Sequence, residues 1–177
     1  KCKNCGYEWM STIDNRVKGQ GCLECGKKRS KEKRIKNKIN QNGSLKDKFP
    51  TIAQEWNYKR NGDLTPATVT FASNKKVWWT CKKCGGEYEA YIANRTLRGS
   101  SCPYCANQKV LIGFNDLQSQ SPDLAAEWDY EANGELTPQK VSYGVGKKVG
   151  WICPLGHKYK ATVLHRSSGT NCPICCS

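Results

Sequence analysis

The sequence predicts small α+β units in tandem, each stapled by bound metal rather than by one extensive core. Three observations lead there: six closely spaced pairs of ligand residues, a long internal repeat, and a composition too polar for one large interior. The last is the simplest. Only 37% of the 177 residues are hydrophobic, and the mean hydropathy is −0.74. A length of this order fits one or two ordinary domains. Short modules cannot bury enough apolar surface unaided and depend on staples.

The staples are visible as spacing. Cys2/Cys5, Cys22/Cys25, Cys81/Cys84, Cys102/Cys105 and Cys172/Cys175 are C-x2-C pairs, and Cys153/His157 is C-x3-H. Taken two pairs at a time they form three four-ligand sets, with 14 to 17 residues between the pairs of each set. Tetrahedral Zn²⁺ suits this pattern, because each tight knuckle offers two ligands and the spacer brings two knuckles face to face. The expectation is three Zn²⁺ per chain. Disulfides are the competing reading, but adjacent C-x2-C pairs have poor disulfide geometry and no export signal is visible. A rubredoxin-like iron site for electron transfer is a second rival. A set of three thiolates and one imidazole on a basic chain argues against it.

The repeat covers more than the knuckles. FPTIAQEWNYKRNGDLTP at 49–66 returns 72 residues later as SPDLAAEWDYEANGELTP, and KKVWWTC (75–81) returns as KKVGWIC (147–153). The expected organisation is a partial first zinc unit at 1–25, a basic linker or helix at 26–44, a second repeat at 45–106 and a third at 107–177. The sequence opens at Lys1, directly before the first knuckle. The first unit's own Trp-bearing segment is therefore expected upstream, in a longer protein.

Local signals place the elements. Pro50 and Pro122 suit the first position of a helix, with Ser121 as N-cap. Ile52/Trp56 and Leu124/Trp128 are four apart and share a helical face. Asn-Gly at 61–62 and 133–134 can end that helix. Residues 69–71, 76–80, 88–92 and their repeats at 141–143, 148–152 and 159–163 read as strands. The sequence leaves open whether the outcome is a zinc ribbon or a treble clef.

Between the knuckles each unit carries an aromatic residue followed seven positions later by Arg: Trp9/Arg16, Tyr88/Arg95 and Tyr159/Arg166. Gly19, Gly99 and Gly169 stand three before the second knuckle and read as turns. The aromatic residue is expected over the metal site or over the Trp of the preceding segment. Two readings of the Arg are open, a structural donor to loop carbonyls or aromatic faces and a nucleic-acid contact.

The motifs P-x-L-A-x-E-W, K-K-V-x-W-x-C, C-x-x-G-H-x-Y and C-P-x-C together resemble the repeated bacterial and phage zinc-ribbon domain family. That family comprises tandem zinc-ribbon or treble-clef copies, found in proteins that also carry very-short-patch-repair-like or other nuclease domains. The resemblance covers residues 45–176 as two copies and 1–25 as a partial one. It implies DNA binding, an intracellular location (cytoplasmic, bacterial or phage) and a nuclease domain as a possible neighbour in the parent protein. Cys5 and Cys84 depart from the family's C-x3-H form and change the ligand set without removing the site.

Charge agrees with a polyanionic partner. The formal balance is +14. A zinc ion held by four thiolates carries −2 and one held by three thiolates and an imidazole −1, which lowers the balance to about +9. Residues 1–48 hold 14 Lys/Arg against 5 acids, while 121–177 hold 6 against 5. The densest run, GKKRSKEKRIKNK at 26–38, reads as a short helix with Ile35 and Ile39 as a thin apolar stripe. It is either a solvated linker or a phosphate-tracking segment. The nucleic-acid-binding candidates are Arg16, Arg95, Arg166, Lys27, Lys28, Arg29, Lys33 and Arg34. DNA, most simply the duplex, is the expected partner, with RNA open and with neither a membrane nor a small-molecule substrate expected. A protein–protein scaffold or regulatory module is the alternative. No enzyme is expected: every ligand set is already filled by protein, His165 has no partner at motif spacing, and Cys176 reads as a bystander thiol beside Cys175.

Overall fold

The computed structural model describes residues 1–175. Cys176 and Ser177 lie outside the described residues, and the expectation for the Cys176 thiol lies there with them. The chain divides into two compact units, Lys1–Trp78 with Ala90–Arg98, and Trp79–Glu89 with Gly99–Ser177. No helix among the described residues is long and apolar enough to cross a membrane.

The first unit opens on the knuckle of Cys2 and Cys5 and a one-turn helix α1 (Ile13–Val17), capped by the Thr12 hydroxyl. A long helix α2 (Leu23–Asn42) follows. It begins at Cys22, so the second knuckle is the first turn of the helix, and the basic run is continuous with it. The expected short helix at 26–38 is therefore 20 residues long. Lys and Arg are good helix formers, and Glu24 in the first turn pairs with Lys27 at 2.8 Å, which suits the positive end of the helix dipole. Gly43, at φ +85°, stops it.

Three single-turn helices come next: α3 (Leu45–Lys48), α4 (Pro50–Ala53) and α5 (Tyr58–Asn61). Ser44 and Asp47 form a reciprocal capping box on α3. Pro50 stands at the start of α4 as expected. That helix ends at Ala53, however, so Trp56 lies beyond it, and Asn61-Gly62 terminates α5 instead. The cause is Asn57, whose N–H leaves for the carbonyl of Trp78 while its side chain caps α5. Residues 69–71 make one bridge, Ser44 to Thr70, rather than a strand. Strands β1 (Lys76–Thr80) and β2 (Glu87–Tyr91) form a two-stranded sheet. Ile92, expected in β2, starts helix α6 (Ile92–Thr96).

The second unit repeats this order: α7 (Leu117–Gln120), α8 (Pro122–Ala126), α9 (Tyr130–Asn133), β3 (Lys148–Ile152), β4 (Lys158–Thr162) and α10 (Val163–Ser167). Ser121 occupies the N-cap position of α8 without a side-chain bond. β3 and β4 are antiparallel, with Trp151 opposite Tyr159. The core joins Leu117, Ala125, Trp128 and Val141 from the preface to Val149, Trp151 and Val163 from the hairpin and α10. Trp128 meets Trp151 edge-on, with ring centroids 5.4 Å apart. Their indole N–H groups donate to Leu136 O at 3.0 Å and Ala161 O at 3.1 Å. The two Trp residues so conspicuous in the repeat are thus the centre of a small apolar interior, and their buried donors are satisfied.

Asn133 does more than end a helix. Its side chain donates to Gly150 O at 2.9 Å and accepts from Gly150 N–H at 2.8 Å, extending β3 as a neighbouring strand would. Asn61 makes the same pair of bonds with Trp78, each 2.8 Å. The residues facing each other across this contact change together between repeats. A Cβ on Gly150 would lie 2.8 Å from Ala132 Cβ, so two small residues permit a close approach. In the preceding repeat the same two positions are Arg60 and Trp78, with the guanidinium stacked over the indole.

Candidate metal centres

Each metal set is built from two hydrogen-bonded turns. In the first turn Gly6, Gly85 and Gly156 donate to Cys2, Cys81 and Cys153 carbonyls at 2.8–2.9 Å. All three glycines have φ between +70° and +82°, a conformation that L side chains rarely adopt. The second turn differs between copies. Cys22 is the N-cap of α2, whereas Cys102–Cys105 is an isolated turn and Cys172–Cys175 is a turn at the end of the described residues. Gly19, Gly99 and Gly169, at φ +80°, +63° and +91°, turn the chain into them as their spacing implies.

The turns bring together the three expected sets: Cys2, Cys5, Cys22 and Cys25; Cys81, Cys84, Cys102 and Cys105; Cys153, His157, Cys172 and Cys175. In each set the ligand atoms all lie within 4.8 Å of one another. The finer distances test the fit to zinc. A tetrahedron with Zn–S bonds of about 2.3 Å has S···S edges of about 3.8 Å. The observed Sγ···Sγ separations are 3.7 and 3.5 Å in the first set, 3.6 and 3.6 Å in the second, and 3.7 Å between Cys153 and Cys175. Disulfide bonding requires about 2.05 Å, so these sulfurs are not so bonded. His157 presents Nδ1 to its set, 3.5 Å from Cys153, 3.2 Å from Cys175 and 4.0 Å from Cys172. Three four-ligand clusters of this size and chemistry suit three zinc ions.

Thiol energetics explain why a cation belongs there. Backbone N–H groups of Asn4 and Cys5 bring Cys2 down to about 6. Hydrogen bonding from Cys5 and Cys2 pushes Cys25 up to about 12. In the third set burial and then hydrogen bonding to Cys172 push Cys175 up to about 12. Sulfurs this close cannot all ionise without a central positive charge, and zinc binding therefore releases protons and stabilises the fold together.

The repeated arginines fall into two different situations. Arg95 and Arg166 are 8% exposed. Each gives a terminal guanidinium nitrogen to a preface carboxylate, Arg95 to Glu55 and Arg166 to Glu127. Arg166 also donates to Thr170 O and lies over the Trp151 and Tyr159 rings, 5.6 and 5.7 Å from their centroids. Burial and Glu127 also push the Tyr159 hydroxyl up to about 12. Arg16 is exposed; it donates to Gln20 O at 3.0 Å and stands 5.2 Å over Trp9. Lys27, Lys28, Arg29, Lys33 and Arg34 are all exposed on α2. Recurrence alone does not single out Glu55 and Glu127 as partners, although both lie in the repeated Glu-Trp dipeptide.

Three tandem metal sets on short helices and hairpins define a zinc-finger array. The chain belongs to the family described as "Probable Treble clef zinc finger domain", whose model matches residues 1–28, 52–108 and 124–177. No curated protein matches the chain.

Proposed function

We propose that the array binds nucleic acid, most simply duplex DNA, and that α2 supplies the main electrostatic grip. One observation carries this reading. Eight Lys and Arg residues between 27 and 38 are exposed on one uninterrupted helix, and among the described residues only Lys27 of these is ion-paired. A helix of 20 residues spans roughly 30 Å, several phosphate spacings of a duplex. Its half-buried Ile35 and Ile39 line a groove with Leu64 and Ala67 in the same unit, which leaves the basic faces to solvent. Lys27, Lys31, Arg34 and Lys38 fall on one face at helical spacing. Such a charge density is self-repelling and is relieved by a polyanion that sheds its counterions.

On this reading the zinc ions are structural. Four protein ligands fill each set and leave no open position for a substrate or a reactive water, so the array acts as a binding module rather than an enzyme. Arg95 and Arg166, buried against carboxylates, serve the fold instead of the phosphate backbone. Arg16 keeps an accessible guanidinium.

Affinity for random-sequence duplex should fall steeply with salt. Replacing Lys27, Lys28, Arg29, Lys33 and Arg34 by Gln should flatten the plot of log affinity against log salt, by on the order of one unit for each phosphate no longer neutralised. All sequences should weaken about equally, since phosphates carry no sequence information. A variant that keeps its zinc, its affinity and its salt slope would transfer the function to a protein–protein scaffold.

A further inference from the structure

The first metal unit lacks, among the described residues, a covering that both later units possess, and its exposed face retains the residues that would receive it. Helices α1, α6 and α10 occupy equivalent places: each follows the aromatic residue, carries the repeated Arg and precedes the turn into the second knuckle. Ile92 and Val163, which open the later two helices, are 0% exposed, whereas the equivalent Ile13 is 84% exposed. In the third repeat the cover is defined residue by residue. Val163 packs with Leu117, Ala125, Trp128 and Val141, all supplied by the preface.

Arg16 shows the same deficit in polar terms. Two of the contacts made by Arg166 are already in place around it. Its guanidinium bonds the carbonyl four residues on, Gln20 O for Thr170 O, and stands over the preceding aromatic ring, Trp9 for Tyr159. The third contact, the carboxylate that Glu55 and Glu127 give to Arg95 and Arg166, has no counterpart among the described residues. The backbone contact changes in a matching way. Thr96 and Ser167 each donate a hydroxyl to a preface carbonyl, Phe71 O and Tyr143 O, both at 2.7 Å. Val17 holds that place in α1 and is 81% exposed, so its half of the contact is apolar.

We propose that the face formed by Trp9, Ile13, Arg16 and Val17 is a docking surface for a preface segment. Its occupant is a Pro-initiated helical turn followed by Glu-Trp, whose carboxylate pairs with Arg16 and whose indole covers Ile13. The complementarity is specific, because an apolar patch beside an Arg without its carboxylate matches the Glu-Trp dipeptide at both points. This surface is separate from the basic face of α2 and does not depend on the nucleic-acid reading.

The test uses the full zinc-loaded chain and an extended form carrying a second copy of residues 44–79 directly ahead of Lys1, which puts Lys1 in the place of Thr80. Backbone amide exchange over residues 12–19 should slow by about tenfold or more in the extended form, as burial removes low-energy local opening. Glu-to-Gln at the added copy of position 55, or Arg16→Gln in the extended form, should abolish most of that protection while zinc content stays unchanged. Unaltered exchange in the extended form would overturn the proposal. So would protection of residues 12–19 in the unextended chain, whether by self-association on dilution-sensitive sedimentation or by added duplex DNA.

Discussion

His157→Ala should release one zinc ion and melt the third repeat while the other two sets stay metallated. His157 Nδ1 lies within 4.0 Å of all three sulfurs of its set, and Ala leaves an open corner that water fills poorly in a structural site. Metal binding supplies about 10–16 kcal/mol to small zinc modules, comparable to or more than the roughly 5–15 kcal/mol by which whole domains are stable. Among the described residues the core cluster of the third repeat holds seven buried apolar side chains, a small reserve beside that metal contribution. Native mass spectrometry reads the metal count. Disappearance of the Trp128–Trp151 near-ultraviolet signal reads the melting. Retention of three zinc ions would show that another group completes this set.

Removing the Arg166 charge should destabilise the same unit by a different route and by a smaller amount. Its guanidinium pairs with Glu127 at side-chain exposures of 6% and 21%. Truncating one member of a buried pair leaves the other uncompensated and typically costs about 3–5 kcal/mol. Arg166→Met should therefore lower the thermal transition of the second unit. The double change Arg166→Met with Glu127→Leu should recover part of that stability, because a well-packed apolar pair avoids the stranded charge. Duplex affinity per folded molecule should be unchanged. A variant that melts normally but binds DNA more weakly would make Arg166 a nucleic-acid contact and refute its structural assignment.

The metal centres are fully legible in the sequence because ligand spacing is a local property. A C-x2-C pair makes its own turn, and all twelve expected ligands meet in three sets. Strands β1 and β3 are equally legible, since each ends against a knuckle that fixes its register. The repeated arginines are not. Their spacing from the aromatic residue is visible, but Glu55 and Arg95 are 40 residues apart and meet only once the preface folds. The same is true of Asn61 and Asn133, which look like turn residues and act as strand partners. Helix α2 exceeds the length its basic run suggests, because Cys22 to Cys25 reads as a separate knuckle whereas the helix starts inside it. Residues 69–71 have strand-like composition, but a single bridge satisfies them. In each case the part hidden from the sequence is a long-range polar pairing or a merging of two local signals.

Each of the three units offers a four-ligand set that suits zinc, and metal binding in such modules is expected to fold the chain around it. Zinc counted by native mass spectrometry during stepwise chelation tests it most directly, with circular dichroism followed in parallel. Three ions per chain are expected at the start, with folded signal disappearing in step with their removal. Two or fewer ions in the gently purified protein, or a chain that keeps its near-ultraviolet spectrum after all zinc is gone, would contradict it.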